Sequence, residues 1–88
     1  MRLIWTPAAL DKLSDFYVTL TLDEQDVLAR TVQRMNAQLR LRPDQLGESR
    51  TPWTRVWFEG GLMMRFEITP ADELVTVYDV IRVRPKRR

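Results

Sequence analysis

The stretch that decides the fold is WTRVWFEGGLMMRFEI, residues 53–68. Two runs rich in aromatic and aliphatic residues flank Gly60-Gly61, a strong signal for a two-residue turn between antiparallel strands. Residues 53–59 are therefore predicted to be one strand and residues 62–68 the returning strand. Residues 69–72 contain Pro70 and predict a second turn, and residues 74–83 predict a long strand that Pro85 ends.

Two helices are predicted ahead of this hairpin. Residues 3–5 form a short apolar strand, after which Thr6 is placed to cap a helix that begins with Pro7. Apolar residues then recur at helical spacing: Leu10, Leu13, Phe16, Tyr17 and Leu20. Thr21 and Glu24 match a capping box, which predicts a second, longer helix that ends before Pro43.

The predicted element order is β-α-α-β-β-β. The two helices are joined so closely that they should form an antiparallel hairpin. The hairpin needs a sheet face to cover, and the first strand can join an edge of that sheet. The fold class predicted is therefore α+β, a two-layer sandwich with a helical hairpin packed on a mostly antiparallel sheet. With 88 residues, residues 1–88 should form a single domain.

Composition excludes several kinds of chemistry. The chain has no cysteine and no histidine, which removes disulfides, thiolate metal sites and Ser-His-Asp catalysis. No metal site and no cofactor are predicted, because the carboxylates of the helices are explained by capping and solvation. No run of residues approaches the length of a membrane span. We expect a cytoplasmic protein without a membrane partner.

Arginine is the chemically informative residue type. Each of the last three predicted strands carries an arginine among apolar residues: Arg55, Arg65 and Arg82. A sheet would hold these guanidinium groups on one surface, where their planar forks suit phosphate or carboxylate groups. RNA, DNA or an acidic partner strand is the ligand this pattern favours.

The end of the chain is strongly basic. Five of its last seven residues are Arg82, Arg84, Lys86, Arg87 and Arg88. This cluster is typical either of an arm that attracts phosphate or of a solvated terminus that only aids solubility. The sequence leaves both interpretations open.

The chain resembles the RelE/ParE superfamily of toxins from bacterial type II toxin–antitoxin modules. Residues 5–10, WTPAAL, are similar to the family's opening, in which a strand runs into x-T-P-x-A-x-x-D-L. Residues 46–50, LGESR, resemble the loop that enters the sheet. Residues 60–67, GGLMMRFE, resemble G-x-Y/L-R-x-x-Y, and residues 77–84 resemble the last strand, V-x-V-L-x-I-x-x-R.

This resemblance implies a toxin with a cognate antitoxin protein as its partner. Members similar to RelE cut messenger RNA on the ribosome, whereas members similar to ParE inhibit DNA gyrase. Arg65 matches the family's arginine in the meander, and Arg82 or Arg84 matches that of the last strand. The candidate catalytic residues are Arg65 and Arg82, which match the family's arginines, and Tyr78, chosen from this chain's own residues. The candidates for binding nucleic acid are Arg50, Arg55 and Arg84, with Lys86 and Arg87 of the basic end.

One departure from the family bears on catalysis. The RNA-cutting members place a tyrosine or histidine near the C-terminus for proton transfer, and this chain has neither after Tyr78. Arginine stays protonated near neutral pH, so it stabilises charge but is a poor general base. Tyr78 is the remaining candidate, although a tyrosine inside a strand is more often a packing residue.

Three functional classes therefore remain open. They are an mRNA interferase that holds RNA phosphates with arginines of the sheet, a non-catalytic inhibitor of DNA gyrase, and an inactive member that acts only as a binding module. Trp53, Trp57 and Phe58 are further candidates for stacking on bases. Since Trp57 and Phe58 are adjacent in a strand, one of them should belong to the core.

Overall fold

The computed structural model describes residues 1–83. Arg84, Lys86 and Arg87 lie outside the described residues. The helices and strands are β1 (Arg2–Trp5), α1 (Pro7–Val18), α2 (Leu22–Leu41), β2 (Glu48–Ser49), β3 (Thr54–Glu59), β4 (Leu62–Thr69) and β5 (Leu74–Arg82). Their order confirms the predicted one, with the short strand β2 as an addition within the loop after α2.

The predicted helix starts are confirmed. The Thr6 side chain accepts a hydrogen bond from the backbone N–H of Ala9, and Pro7 occupies the first turn, where its missing N–H leaves no bond unmade. At α2 the capping box is complete. The Glu24 N–H donates to Thr21 Oγ1 at 3.2 Å, and the Thr21 N–H donates to Glu24 Oε1 at 2.9 Å.

The sheet has five strands in the order β1-β5-β4-β3-β2. All neighbouring pairs are antiparallel except β1 and β5, which are parallel. The first strand therefore lies at one edge, as predicted, and β4 is the central strand. The predicted α+β class, with a helical hairpin on a mostly antiparallel sheet, is confirmed.

Gly60 and Gly61 form the turn between β3 and β4. Both have positive φ, +58° and +82°, the combination that a tight turn of the mirror-image type requires. Glycine adopts these angles without the steric cost that a Cβ atom would add. The pairing of Glu59 with Leu62 across this turn sets the register of the whole hairpin.

The core lies between the helices and one face of the sheet. Alternate residues of β4 are buried on this face: Leu62, Met64, Phe66 and Ile68. The helices contribute Ala9, Leu28, Val32, Met35 and Leu39. We call the opposite side of the sheet, which carries Val56, Phe58, Met63, Arg65 and Glu67, the open face. Within residues 1–83, no helix is long and apolar enough to cross a bilayer.

A bulge interrupts β5 in the middle of the sheet. Arg65 pairs with Asp79, but the next residue, Phe66, pairs with Val77, so Tyr78 is an extra residue without a partner in β4. Val77 and Val80 are both buried. Tyr78 and Asp79 lie between them, and both face away from the core, so two successive residues are on the open face. Because β1 pairs with β5 only as far as Val77, β5 has no β1 neighbour beyond that residue, and α1 can reach Asp79 around this edge.

Candidate nucleic-acid interface on the open face

Arg65 lies at the centre of the open face. It belongs to the central strand and is flanked by Val56 of β3 and Asp79 of β5. Its side chain is exposed and, within residues 1–83, makes no hydrogen bond or ion pair. Two nearby carboxylates, Glu59 and Glu67, could have neutralised Arg65, but neither forms an ion pair with it within residues 1–83. Glu59 Oε2 instead lies 3.4 Å from Arg34 Nε on the helix side of the sheet. All donors of the Arg65 guanidinium are available to a ligand.

Tyr78 lies on the same face as Arg65, because it follows the buried Val77 in β5 and side chains alternate between the faces of a strand. The extra residue in β5 is directly across from the Arg65–Phe66 step of β4. Tyr78 is 39 % exposed, so its hydroxyl is not a packing group of the core. The structure therefore brings together two of the three residues predicted to be catalytic, Arg65 and Tyr78.

Asp79 and Lys12 add two charges that the sequence analysis did not assign to the site. The Lys12 ammonium of α1 donates to Asp79 Oδ1 at 2.7 Å, and the Val80 N–H donates to the same oxygen at 2.9 Å. The hydrogen bond from Lys12 is the largest cause that lowers the pKa of Asp79, and burial, the second largest cause, raises it. The charge of Arg65 also lowers this pKa but is the smallest contribution. The carboxylate is thus bonded to Lys12 and paired in the sheet with Arg65.

Lys12 was not predicted because no local sequence pattern indicates its contact with Asp79. It precedes Leu13 of the apolar helix pattern and resembles any exposed lysine in a helix. The ion pair joins residues far apart in the chain, and only the packing of α1 against β5 creates it. The bulge is equally hidden, and it is the bulge that directs Asp79 toward Arg65.

Arg82 is on the other side of the sheet. It pairs with the buried Leu62, so its side chain is on the face that the helices cover. There it lines a cavity of about 390 Å³ between the start of α2 and the β3–β4 turn, together with Asp23, Val27 and Gly60. Arg65 and Arg82 therefore cannot hold one phosphate from the same surface. The expectation that the sheet arginines share one surface is wrong.

Arg55 also points away from the open face and has partners of its own. It pairs with the buried Phe66, and its guanidinium donates to the carbonyl oxygens of Leu46 at 2.7 Å and Gly47 at 3.2 Å. These hydrogen bonds hold the loop that precedes β2 against strand β3. Arg50 is exposed at the β2 edge and lies 3.7 Å from Glu48.

The three aromatic candidates occupy different environments. Trp57 packs against the core, as one of the Trp57 and Phe58 pair was expected to do. Phe58 is 55 % exposed on the open face, next to Met63. Trp53 is 56 % exposed and lines a shallow cavity with Glu67 and Pro70. Of these three candidates, Phe58 and Trp53 are therefore the two that a base could reach.

Metal chemistry finds no support in the described part of the chain. Among residues 1–83 no three carboxylates converge closely enough to hold a metal ion. Within the described residues the site combines Arg65, the Lys12 ammonium that reaches Asp79 from α1, the Tyr78 hydroxyl and the Phe58 ring with two carboxylates, Asp79 and Glu67. Such a surface suits an extended anion rather than an enclosed small molecule.

Comparison with known proteins gives a fold but no close relative. No protein-family model matches the sequence, and no curated protein matches it. Several solved structures resemble it, among them two that match it over nearly the whole chain. The isolated RelE toxin of E. coli has a TM-score of 0.66 at 11 % identity, covering 97 % of this chain and 86 % of that chain.

A chain from the chromosomal ParDE toxin–antitoxin system of P. aeruginosa has a TM-score of 0.63 at 23 % identity. It covers 96 % of this chain and 97 % of that one. The protein therefore has the RelE/ParE fold, as the sequence motifs predicted.

Proposed function

We propose that the protein is the toxin of a type II toxin–antitoxin module and acts as an mRNA interferase that binds RNA on the open face. The observation that supports this function is Arg65, an exposed arginine in the central strand with no ion pair within the described chain, on the same face as Tyr78. An arginine without a partner at the centre of a sheet face is available to bind an anion.

Cleavage of RNA requires the 2′-hydroxyl to attack the adjacent phosphorus while the 5′-oxygen leaves. Arg65 would donate two hydrogen bonds to the non-bridging oxygens and stabilise the charge added in the phosphorane. The leaving 5′-oxygen gains a proton, which the Tyr78 hydroxyl would donate, and the 2′-hydroxyl loses one, which solvent water would accept. Arg82 would bind elsewhere, because it opens onto the helix side of the sheet. Arg50, exposed at the sheet edge, would attract neighbouring phosphates.

The partners follow from this proposal. The substrate would be messenger RNA bound to the ribosome, and the protein would act in the cytoplasm. A cognate antitoxin would neutralise it by laying an acidic segment across the open face, where the segment would compete with RNA for Arg65. No cofactor is needed, since attack by the 2′-hydroxyl is internal to the substrate.

A second candidate is inhibition of DNA gyrase without catalysis. It is favoured by the apolar residues exposed at the connection between α1 and α2, where Val18 is 80 % and Leu22 is 83 % exposed. Exposed apolar side chains grouped in this way are typical of protein-binding surfaces. In this case the helical hairpin, not Arg65, would carry the activity.

Induced expression in a bacterial host tests both candidates. Growth and the 5′ ends of messenger RNA would be compared for the wild type, Arg65→Ala, Val18→Ser/Leu22→Ser and a control, Arg30→Ala. Arg30 is a matched control because it is an exposed arginine, bonded to Asp26 on α2 and remote from the open face.

We expect growth arrest with new cleavage sites, both lost in Arg65→Ala and retained in Arg30→Ala. Arrest without cleavage, lost only in Val18→Ser/Leu22→Ser, would replace the interferase with the gyrase inhibitor. No arrest at verified soluble expression would contradict both toxin functions and leave a binding module.

A further inference from the structure

Two cations from different elements converge on Asp79. Lys12 reaches it from α1, and Arg65 faces it from the neighbouring strand β4. The two cations are brought to one carboxylate by the bulge, which gives the open face both Tyr78 and Asp79 where a regular strand would give it one residue. Apolar contacts also pack α1 on the sheet, through buried Ala9 and half-buried Leu13.

The Asp79 carboxylate has a hydrogen bond besides the one from Lys12, whereas the Lys12 ammonium bonds only to Asp79 within the described residues. Oδ1 of Asp79 also accepts the backbone N–H of Val80 at 2.9 Å, so the carboxylate keeps one bond whether or not Lys12 is present. The Lys12 side chain is 46 % exposed and that of Asp79 is 28 % exposed. A lysine on a flexible, solvated stem can turn from this carboxylate to another anion nearby.

We propose that Lys12 and Asp79 form a gated phosphate subsite beside Arg65, in which Asp79 takes the place of an RNA phosphodiester until RNA binds. This inference rests on the proposed binding of RNA by the open face. The charge of Asp79 offsets that of Lys12 and reduces the positive potential of Arg65. A single small anion therefore binds only weakly at this subsite. A phosphodiester chain that reaches Arg65 with one phosphate offers Lys12 a second one, and Lys12 turns to it.

The proposal predicts opposite effects for the two members of the ion pair. Asp79→Asn removes the internal competitor but keeps an oxygen for the Val80 N–H, so both cations become available to RNA. Lys12→Gln removes a phosphate contact. If the pair were only a strap between α1 and β5, both substitutions would weaken the fold and neither would alter RNA binding.

The structure supplies a matched control for the experiment. Arg34 of α2 and Glu59 of β3 form another ion pair between a helix and a strand, at 3.4 Å, but on the helix side of the sheet. Glu59→Gln changes the net charge by the same amount as Asp79→Asn, and Arg34→Gln by the same amount as Lys12→Gln. Differences between the two sets therefore report position and not total charge.

The measurement is the affinity for a fluorescent oligouridylate as a function of salt concentration, with thermal unfolding of every variant as a check on folding. Asp79→Asn should bind several-fold more tightly than the wild type, with a steeper salt dependence. Lys12→Gln should bind more weakly and lose about 0.7 from the slope of log affinity against log salt, the value for one single-stranded phosphate contact. Lys12→Arg should preserve binding.

The double variant Lys12→Gln/Asp79→Asn should show little of the gain seen in Asp79→Asn alone, because the freed cation is absent. The subsite is overturned if Asp79→Asn binds no more tightly than Glu59→Gln, or if Lys12→Gln has the same slope as Arg34→Gln. These outcomes would leave the proposed function standing as long as Arg65→Ala weakens binding. A wild type whose affinity is independent of salt, or equal to that of Arg65→Ala, would contradict RNA binding by the open face and the subsite with it.

Discussion

Asp79 links the stability of the fold to pH. Its pKa in the folded chain is lowered from the ordinary value of 3.8, chiefly by the hydrogen bond from Lys12. A carboxyl group whose pKa falls on folding stabilises the folded state above its unfolded pKa, and this contribution is lost as the pH falls through the folded pKa. The ion pair is partly exposed, so it contributes under about 1 kcal/mol.

We therefore expect Asp79→Asn to be less stable than the wild type by up to about 1 kcal/mol near neutral pH. The difference should shrink below about pH 4 and vanish once the wild-type carboxyl is protonated. Urea unfolding followed by circular dichroism across this range measures it. A difference that stays constant into acid would show that the substitution acts through packing and not through the charge.

At this scale the sequence predicted the exposure of Arg65 but not the arrangement of the arginines across the sheet. Arg65 was assigned correctly to an exposed strand position, because the apolar and polar residues around it alternate. The prediction that Arg65 and Arg82 share one surface was wrong, because β5 pairs with β4 so that Arg82 is across from the buried Leu62. Side chains alternate between the two faces along each strand. Which of them face the helices depends on how that strand pairs with its neighbour. Lys12 was not predicted because its partner is distant in the chain.

The N-terminus of α2 depends on a local device that can be tested alone. Thr21 and Glu24 exchange hydrogen bonds between side chain and backbone and so satisfy two donors of the first turn. Thr21→Ala should lower the free energy of unfolding by about 1 kcal/mol. Thr21→Ser, which keeps the hydroxyl acceptor, should stay close to the wild type. Equal losses in the two variants in chemical denaturation would assign the effect to the methyl group instead of the cap.

The helices and the β3–β4 hairpin were predictable because their signals are local. Caps, a proline in the first turn and Gly60-Gly61 each act within a few residues. The strand β2 was missed because it has two residues and pairs with β3 only through Glu48 and Ser49. The bulge at Tyr78 was missed for a related reason. An uninterrupted run of β-favouring residues looks the same whether or not its partner strand skips one of them.

Phe66 and Phe58 offer a matched test of the two faces of the sheet. Phe66 is completely buried between β4 and the helices, and Phe58 is 55 % exposed on the open face. Phe66→Ala should cost about 3–5 kcal/mol through lost burial and the cavity that remains. Such a loss removes most of the stability of a domain at the lower end of the usual range, about 5–15 kcal/mol, so the variant should be strongly destabilised.

Phe58→Ala should remain folded and lose less than about 1 kcal/mol. Calorimetry of both variants measures the contrast. Losses of similar size would mean that the open face is covered in solution, for example by a second copy of the chain, and that it is not the accessible surface on which the RNA proposal depends.

The parallel pairing of β1 with β5 has a consequence for the order of synthesis. The first strand of the chain pairs with residues 74–77, near the end of the described residues. When β1, α1 and α2 have left the ribosome, β5, the neighbour of β1, has not yet emerged, so Leu3 and Trp5 cannot take their places in the core. A nascent chain that stops before β5 has neither the closed edge of the sheet nor the bulge that carries Tyr78 and Asp79. The surface that would bind RNA therefore forms only after β5 has emerged from the ribosome.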